Sequence, residues 1–176
     1  MNRIFLIIGV ALLLACARAQ EAAPKGEVHS HGMKISSSAF SDGQSIPAKY
    51  TCDGSDTSPP LAFASIPAGA KSLALVVDDP DAPGGTFDHW IVWNIPNGTT
   101  TIAEGQSPQG IAGRNGFGKN GYGGPCPPSG EHRYFFKLYA LDTTLNLQPS
   151  SRKADLEKAM KGHILAEAQM MGRYRR

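Results

Sequence analysis

Between Lys34 and Pro149 the apolar runs are of strand length, and turn signals close each of them: "SDGQSIP", "CDGSDTSPP", "PAGAK", "DDPDAPGG", "PNGTT" and "GRNGFGKNGYGGPCPPSGE". A chain interrupted this often has no room for long helices. Short strands joined by Gly/Pro-rich turns point to an all-β sandwich or barrel. At 176 residues the chain is one ordinary domain with space for a real core, and its sparse charge (18%) argues against wholesale disorder. Only "SSRKADLEKAMKGH" reads as helix: a serine offers an N-cap, Leu156, Ala159 and Met160 fall on one face, and Gly162 can close it. The stretch from Gly105 to Glu131 is too long for a mere connection, and loops of that length inside a compact domain are usually functional.

The first 19 residues read as a leader rather than as part of the fold. Arg3 precedes an apolar segment from Ile4 to Leu14, too short to span a bilayer comfortably, and small residues follow. Ala17-Arg18-Ala19 fits cleavage before Gln20, whereas Leu13-Leu14-Ala15-Cys16 resembles a lipoprotein box that would place a lipid on Cys16. Residues 20–33 are polar and small, a tether to a domain spanning 34–176. With the leader removed, the 17 basic residues less Arg3 and Arg18 match the 15 acidic ones, and a neutral domain argues against a nucleic-acid partner. The mature chain has no spanning stretch, and "GRYRR" is too short to hold anionic lipid by charge, so a membrane role would rest on a lipid at Cys16. Export leaves Cys52 and Cys126 as an even pair in an oxidising compartment. They are either a disulfide or two buried thiols, and their Gly/Pro-rich loops would gain most from the bond.

Three strand faces end in ionisable groups. Residues two apart share a face, so Leu73, Leu75 and Val77 lead to Asp79. His89 stands in line with Ile91, Trp93 and Ile95, and His132 with Tyr134, Phe136, Leu138 and Ala140. The first two ends meet if their strands form a hairpin, and the third joins them if its strand runs in the same direction as the second. Asp79 and Asp81 would then orient His89 and His132 and raise their pKa values, making an anion pocket beside Gly-rich backbone N–H groups. The plainer alternative is that these side chains only pair to close a turn. Other motifs carry less. "GFGKNG" (Gly116 to Gly121) satisfies GxGxxG, but "YGGPCPP" after it cannot open the helix that a dinucleotide site needs. "NGT" at Asn97 is a cheap match to a glycosylation site. Neither HExxH nor a recognisable nucleophile motif is present, so no metal, cofactor or catalytic residue is assigned.

The motifs "DPDAP" followed by "HW", then "GYGGPCPPSGEHRYFFKLYALD", with "FSDGQSIPAKYTCDGSDTSPPL" upstream, resemble the phosphatidylethanolamine-binding protein family, in particular its bacterial Raf-kinase-inhibitor-like branch. The resemblance runs from about Ile35 to Arg176. It implies a mainly β fold: a Greek-key β-sandwich of antiparallel sheets, with a short C-terminal helix followed by a terminal strand whose Ile164, Ala166, Ala168 and Met170 form one face. It also implies a small anion pocket at one end, with Asp79, Asp81, His89, His132 and Tyr134 around it and Gly124 and Pro125 as wall. In this sequence "SGEHRY" is tighter than in many bacterial members, which affects the rim. The function so implied is an exported, periplasmic binding protein for phosphate or a phosphorylated headgroup. An inhibitor of a protease or kinase acting through the pocket rim, and an acid–base enzyme using the Asp/His pocket, are the alternatives.

Overall fold

The structure is a computed structural model that describes residues 32–176. The expected leader, Cys16 and most of the expected tether lie outside the described residues. Met33, the last residue of that tether, already belongs to the core.

Among the described residues eight strands form two antiparallel sheets. The smaller has β1 (Lys34–Ser36), β2 (Leu61–Ala64) and β5 (Thr101–Ile102) in the order β1-β2-β5. The larger is built from β3 (Ser72–Asp79), β4 (Phe87–Pro96), β6 (Ile111–Ala112), β7 (Glu131–Leu141) and β8 (Ile164–Arg175), in the order β6-β4-β3-β7-β8. The chain starts in the small sheet, enters the large one, returns for β5 and crosses back, as a Greek-key sandwich requires.

The central strand β3 is buried along its whole length because both its faces are covered, which is why residues 73–77 are a continuous apolar run. Leu73, Leu75 and Val77 face inward, packing with Phe136 and Leu138 of β7 and with Ile35, Phe63 and Ile102 of the small sheet. Ala74 and Val76 face outward with Ile91 and Trp93, under Leu156 and Met160 of α1 (Lys153–Met160). Beyond that outer cluster, the buried Asp78 accepts hydrogen bonds from Lys137 and Lys153, each at 2.8 Å.

Helix α1 has the expected apolar face and the expected stop, Gly162 at φ +84°. Its start differs. Arg152 occupies the N-cap position, and the Asp155 carboxylate accepts its N–H at 2.9 Å. The expected serine cap does not form: the N-cap lies one residue past Ser151, whose N–H donates to the Gln148 carbonyl and whose carbonyl accepts from Arg114. On β8, Ala166, Ala168 and Met170 oppose Ala140, Leu138 and Phe136 on one face. Ile164 does not share it: the register slips between Ala140 and Leu141, making Leu165 an extra residue and turning Ile164 into the outer cluster.

Candidate functional site

Both β4 and β7 pair antiparallel with β3, so they run in the same direction and bring Asp79, His89 and His132 to one end of the large sheet. Along β3 and β7 the alternation read from the sequence holds. Along β4 it does not. Val77 opposes Trp90 while Asp78 opposes Asp88, so His89 is an extra, bulged residue. A second irregularity lies between the Leu73–Ile95 and Leu75–Val92 pairs, where Asn94 takes φ +55°. Trp90, Val92 and Ile95 therefore point into the sandwich, and Ile91 and Trp93 point outward. His89 shares no face with Ile91 or Trp93. The bulge turns it inward, where its ring meets that of Tyr134 edge-on at 5.2 Å.

Asp79, His89 and His132 line a cavity of about 340 Å³. All three are buried. His89 Nδ1 lies 2.7 Å from the Gly123 carbonyl, which can only accept, so Nδ1 carries the proton. His132 Nδ1 lies 2.7 Å from Asp79 Oδ2 and donates to that carboxylate in the same way. Asp79 Oδ1 accepts the Asp81 N–H at 2.8 Å, so both carboxylate oxygens are engaged within the chain. Each imidazole is left with Nε2 as its only uncommitted nitrogen. Burial lowers the His89 pKa below its ordinary value, against the opposing pull of Gly123 and Asp79. The expected rise at this residue is overturned, because desolvation outweighs the nearby carboxylate.

Asp81 and Tyr134 serve the site from outside the cavity. Asp81 holds no histidine: its carboxylate takes a forked pair of hydrogen bonds from Arg133 at 2.7 and 2.9 Å and another from the Arg133 N–H at 3.0 Å. The Arg133 guanidinium holds its pKa down at about 2. Tyr134 is fully buried beneath His89, and among the described residues its hydroxyl has no hydrogen-bond partner of ordinary geometry. Burial, assisted by the Asp79 charge, raises its pKa.

Gly124 and Pro125 tie the wall to the turn at residues 50–56 rather than facing the cavity. The Gly124 N–H donates to Asp56 Oδ1 at 2.6 Å, the Pro125 carbonyl accepts the Cys52 N–H at 3.1 Å, and the Tyr122 hydroxyl donates to the Tyr50 carbonyl at 2.6 Å. A Cys52–Cys126 disulfide closes the same seam, and Cys126 lines the cavity. The glycine N–H groups expected to face an anion are thus partly spent inside the chain, Gly124 on Asp56 and Gly85 on Ala82.

The "GFGKNG" loop is folded by a side chain. Buried Asn115 accepts the N–H groups of Phe117 and Lys119, each at 3.0 Å, and donates to the Gly121 carbonyl at 3.0 Å. No helix follows it, so no phosphate-binding helix terminus forms there. The loop presents Phe117 at the mouth of the cavity. Among the described residues no group of three His, Cys, Asp or Glu side chains is placed to hold a metal ion.

The family profile described as phosphatidylethanolamine-binding protein matches residues 36–175. The chain belongs to the phosphatidylethanolamine-binding protein family. A UPF0098 protein of Methanothermobacter thermautotrophicus is 51% identical over 150 residues, covering 82% of this chain and 99% of that protein. A phosphatidylethanolamine-binding protein homolog of Chlamydia trachomatis, CT736, has a solved structure that superposes with a TM-score of 0.80 at 45% identity, covering 84% of this chain and 99% of that one. The structure of E. coli YbcL, described as a new member of the mammalian phosphatidylethanolamine-binding protein family, matches with a TM-score of 0.77 at 33% identity, over 82% of this chain and 98% of that one.

Within this family fold, sequence reasoning missed much of the cavity's rim. The Ala82–Thr86 turn, Phe87, Phe117 and Pro128 all line it. One signal was available: Phe117 is a large apolar residue in an otherwise glycine-rich, polar loop, where no strand face could bury it.

Proposed function

We propose that this protein is an exported binding protein whose pocket takes phosphate or a phosphorylated small anion. The observation that carries the reading is the pair of imidazoles with Nδ1 pinned, one by a carbonyl and one by a carboxylate, so that Nε2 of each is the nitrogen left for a ligand. An imidazolium Nε2–H donates to a phosphate oxygen, and a neutral Nε2 accepts from a phosphate O–H. Either way the complex holds a proton between ligand and ring. Asp79 keeps its negative charge although both its oxygens accept hydrogen bonds, so an anion in the cavity is favoured only together with the proton it shares with a ring. The disulfide supports export, since such bonds persist in oxidising compartments. A lipid at Cys16 would make the exported form membrane-anchored.

The sign of the pH dependence follows from that proton. Above the lowered His89 pKa and the second pKa of a phosphate monoester, about 6, the monoester is a dianion with no O–H left, so a hydrogen bond between it and the neutral His89 Nε2 takes up one proton. Affinity then falls by up to about tenfold per pH unit. Calorimetric titration with phosphate and with phosphorylethanolamine at pH 6 and pH 8 tests the reading. Binding should weaken at the higher pH and be lost in His132→Ala. Parent-like affinity in that variant, or no binding of either compound at either pH, would reject the anion site.

A further inference from the structure

Resting on the anion-site reading, we propose that the pocket selects phosphate monoesters that carry an aromatic ring on the ester oxygen, and that Phe117 is the residue that reads the ring. Phe117 is the large hydrophobic side chain left exposed among the described residues, at 45%. It is not a loose loop residue. Its N–H is held by buried Asn115, and its ring stands edge-on to Phe87 at 4.8 Å and to His89 at 5.5 Å. Two glycines make that arrangement possible. A Cβ at Gly123 would fall 2.5 Å from the Phe117 ring, and one at Gly116 would fall 2.5 Å from the Phe87 ring. The chain thus holds an apolar ring in solvent, in a fixed pose, directly beside one of the two anion-facing imidazoles.

The rest of the mouth matches it. Ala82, Pro83 and Pro128 continue the apolar rim, while the acidic and imidazole side chains of the lining are confined to Asp79, His89 and His132. A cavity of about 340 Å³ leaves space beyond a single tetrahedral anion. An ammonium-bearing headgroup would want a free carboxylate at that mouth, but Asp79 already accepts a hydrogen bond on each oxygen and Asp81 is committed to Arg133. A flat apolar substituent instead finds Phe117 and Phe87 in place, and edge-to-face or offset stacking on such rings is favourable.

The test is calorimetry at pH 6.5 with inorganic phosphate, ethyl phosphate, phenyl phosphate and phosphorylethanolamine, on the parent and on Phe117→Ala and Phe117→Leu. Phenyl phosphate should bind the parent about tenfold tighter than inorganic phosphate. That ratio should fall towards one in Phe117→Ala and stay low in Phe117→Leu, which restores apolar bulk without a ring. Because the ratio is read within each variant, a general weakening of the site does not mimic the effect. A parent that binds phenyl and ethyl phosphate equally, or that prefers phosphorylethanolamine, overturns the inference while leaving the anion site standing, as does a ratio that survives in Phe117→Ala. Failure of all four compounds to bind the parent overturns the anion site itself and the inference with it.

Discussion

Protonating His89 should destabilise this fold, and the size of the effect is bounded by one proton. The ring is buried at 3% exposure, and burial lowers its pKa below the unfolded value of about 6.5. As the pH falls through 6.5 the unfolded chain takes up a proton that the folded chain refuses. Stability is therefore fully present above 6.5 and declines as the pH falls towards the folded pKa, with a slope of at most about 1.4 kcal/mol per pH unit. For a ring that stays neutral throughout, the loss between pH 7.5 and 5.5 integrates to about 1.4 kcal/mol. Urea unfolding resolves this, since a slope of about 1–3 kcal/mol per molar for a small domain turns it into a midpoint shift of roughly 0.5–1.4 M. Other groups titrate in the same interval, so the comparison is with His89→Gln, whose amide can still donate to the Gly123 carbonyl but does not ionise. Phosphate must be left out of the buffer, because a ligand adds stabilisation with its own pH dependence. The parent should lose more stability than the variant across the interval. Parallel profiles would refute the argument that His89 is neutral in the folded protein.

The disulfide and the close-packed wall make two further tests. Cys52 and Cys126 are 74 residues apart, and on the chain-entropy relation closing that loop stabilises by about 4 kcal/mol, so Cys52→Ser/Cys126→Ser should lower the urea-derived stability by most of that amount; a loss under about 1 kcal/mol would mean that native-state contacts already hold the seam. At Gly124 a Cβ would fall 2.5 Å from the Tyr50 carbonyl oxygen and 2.9 Å from Thr51 Cα, backbone atoms that cannot swing aside. Gly124→Ala should therefore cost about 1–3 kcal/mol, whereas Gly84→Ala, with nothing within 4 Å, should be near neutral; equal effects would show that the wall yields more easily than its packing suggests.

The parts of the site that were legible in the sequence sit on strands without irregularities. Along β3 and β7 a period of two carries Leu73, Leu75 and Val77 to Asp79, and Ala140 back to His132, and the structure keeps both series in phase. On β4 the same count fails, because His89 and the Trp93–Asn94 region each add a residue that no local pattern marks. The sequence offers Gly or Pro where most turns occur, but an unmarked bulge beside a histidine looks like any other strand step. Ile164 was misplaced for the same reason. Asp81 was misread differently. Its partner is Arg133, which alternates with His132 on β7, and the turn after β3 carries Asp81 round to meet it. Local periodicity has no access to that turn.

The end of the sandwich that holds the cavity collects features that ordinary folding does not favour. A buried, unpaired polar donor is not diagnostic alone, since the indole N–H groups of Trp90 and Trp93 also lack partners among the described residues. What distinguishes this end is coincidence. A histidine whose charge is suppressed by burial, a tyrosine hydroxyl without a partner beneath it, an apolar ring held in solvent and a bulge that breaks the central ladder all lie around one cavity. Each departs from what stability alone would select, and such departures are expected to cluster where a site is held ready for use. Their neighbour is the disulfide-closed seam, which fixes the 123–126 wall and with it the carbonyl that sets the His89 tautomer. Because that carbonyl, the Asp79 carboxylate and Asn115 hold the two imidazoles and the aromatic rim in position, a ligand would meet groups already oriented and would pay little to order them. Loosening the seam should therefore reach the ligand through His89 before it reaches His132, whose anchor Asp79 lies on β3, separated from the 123–126 wall by β4.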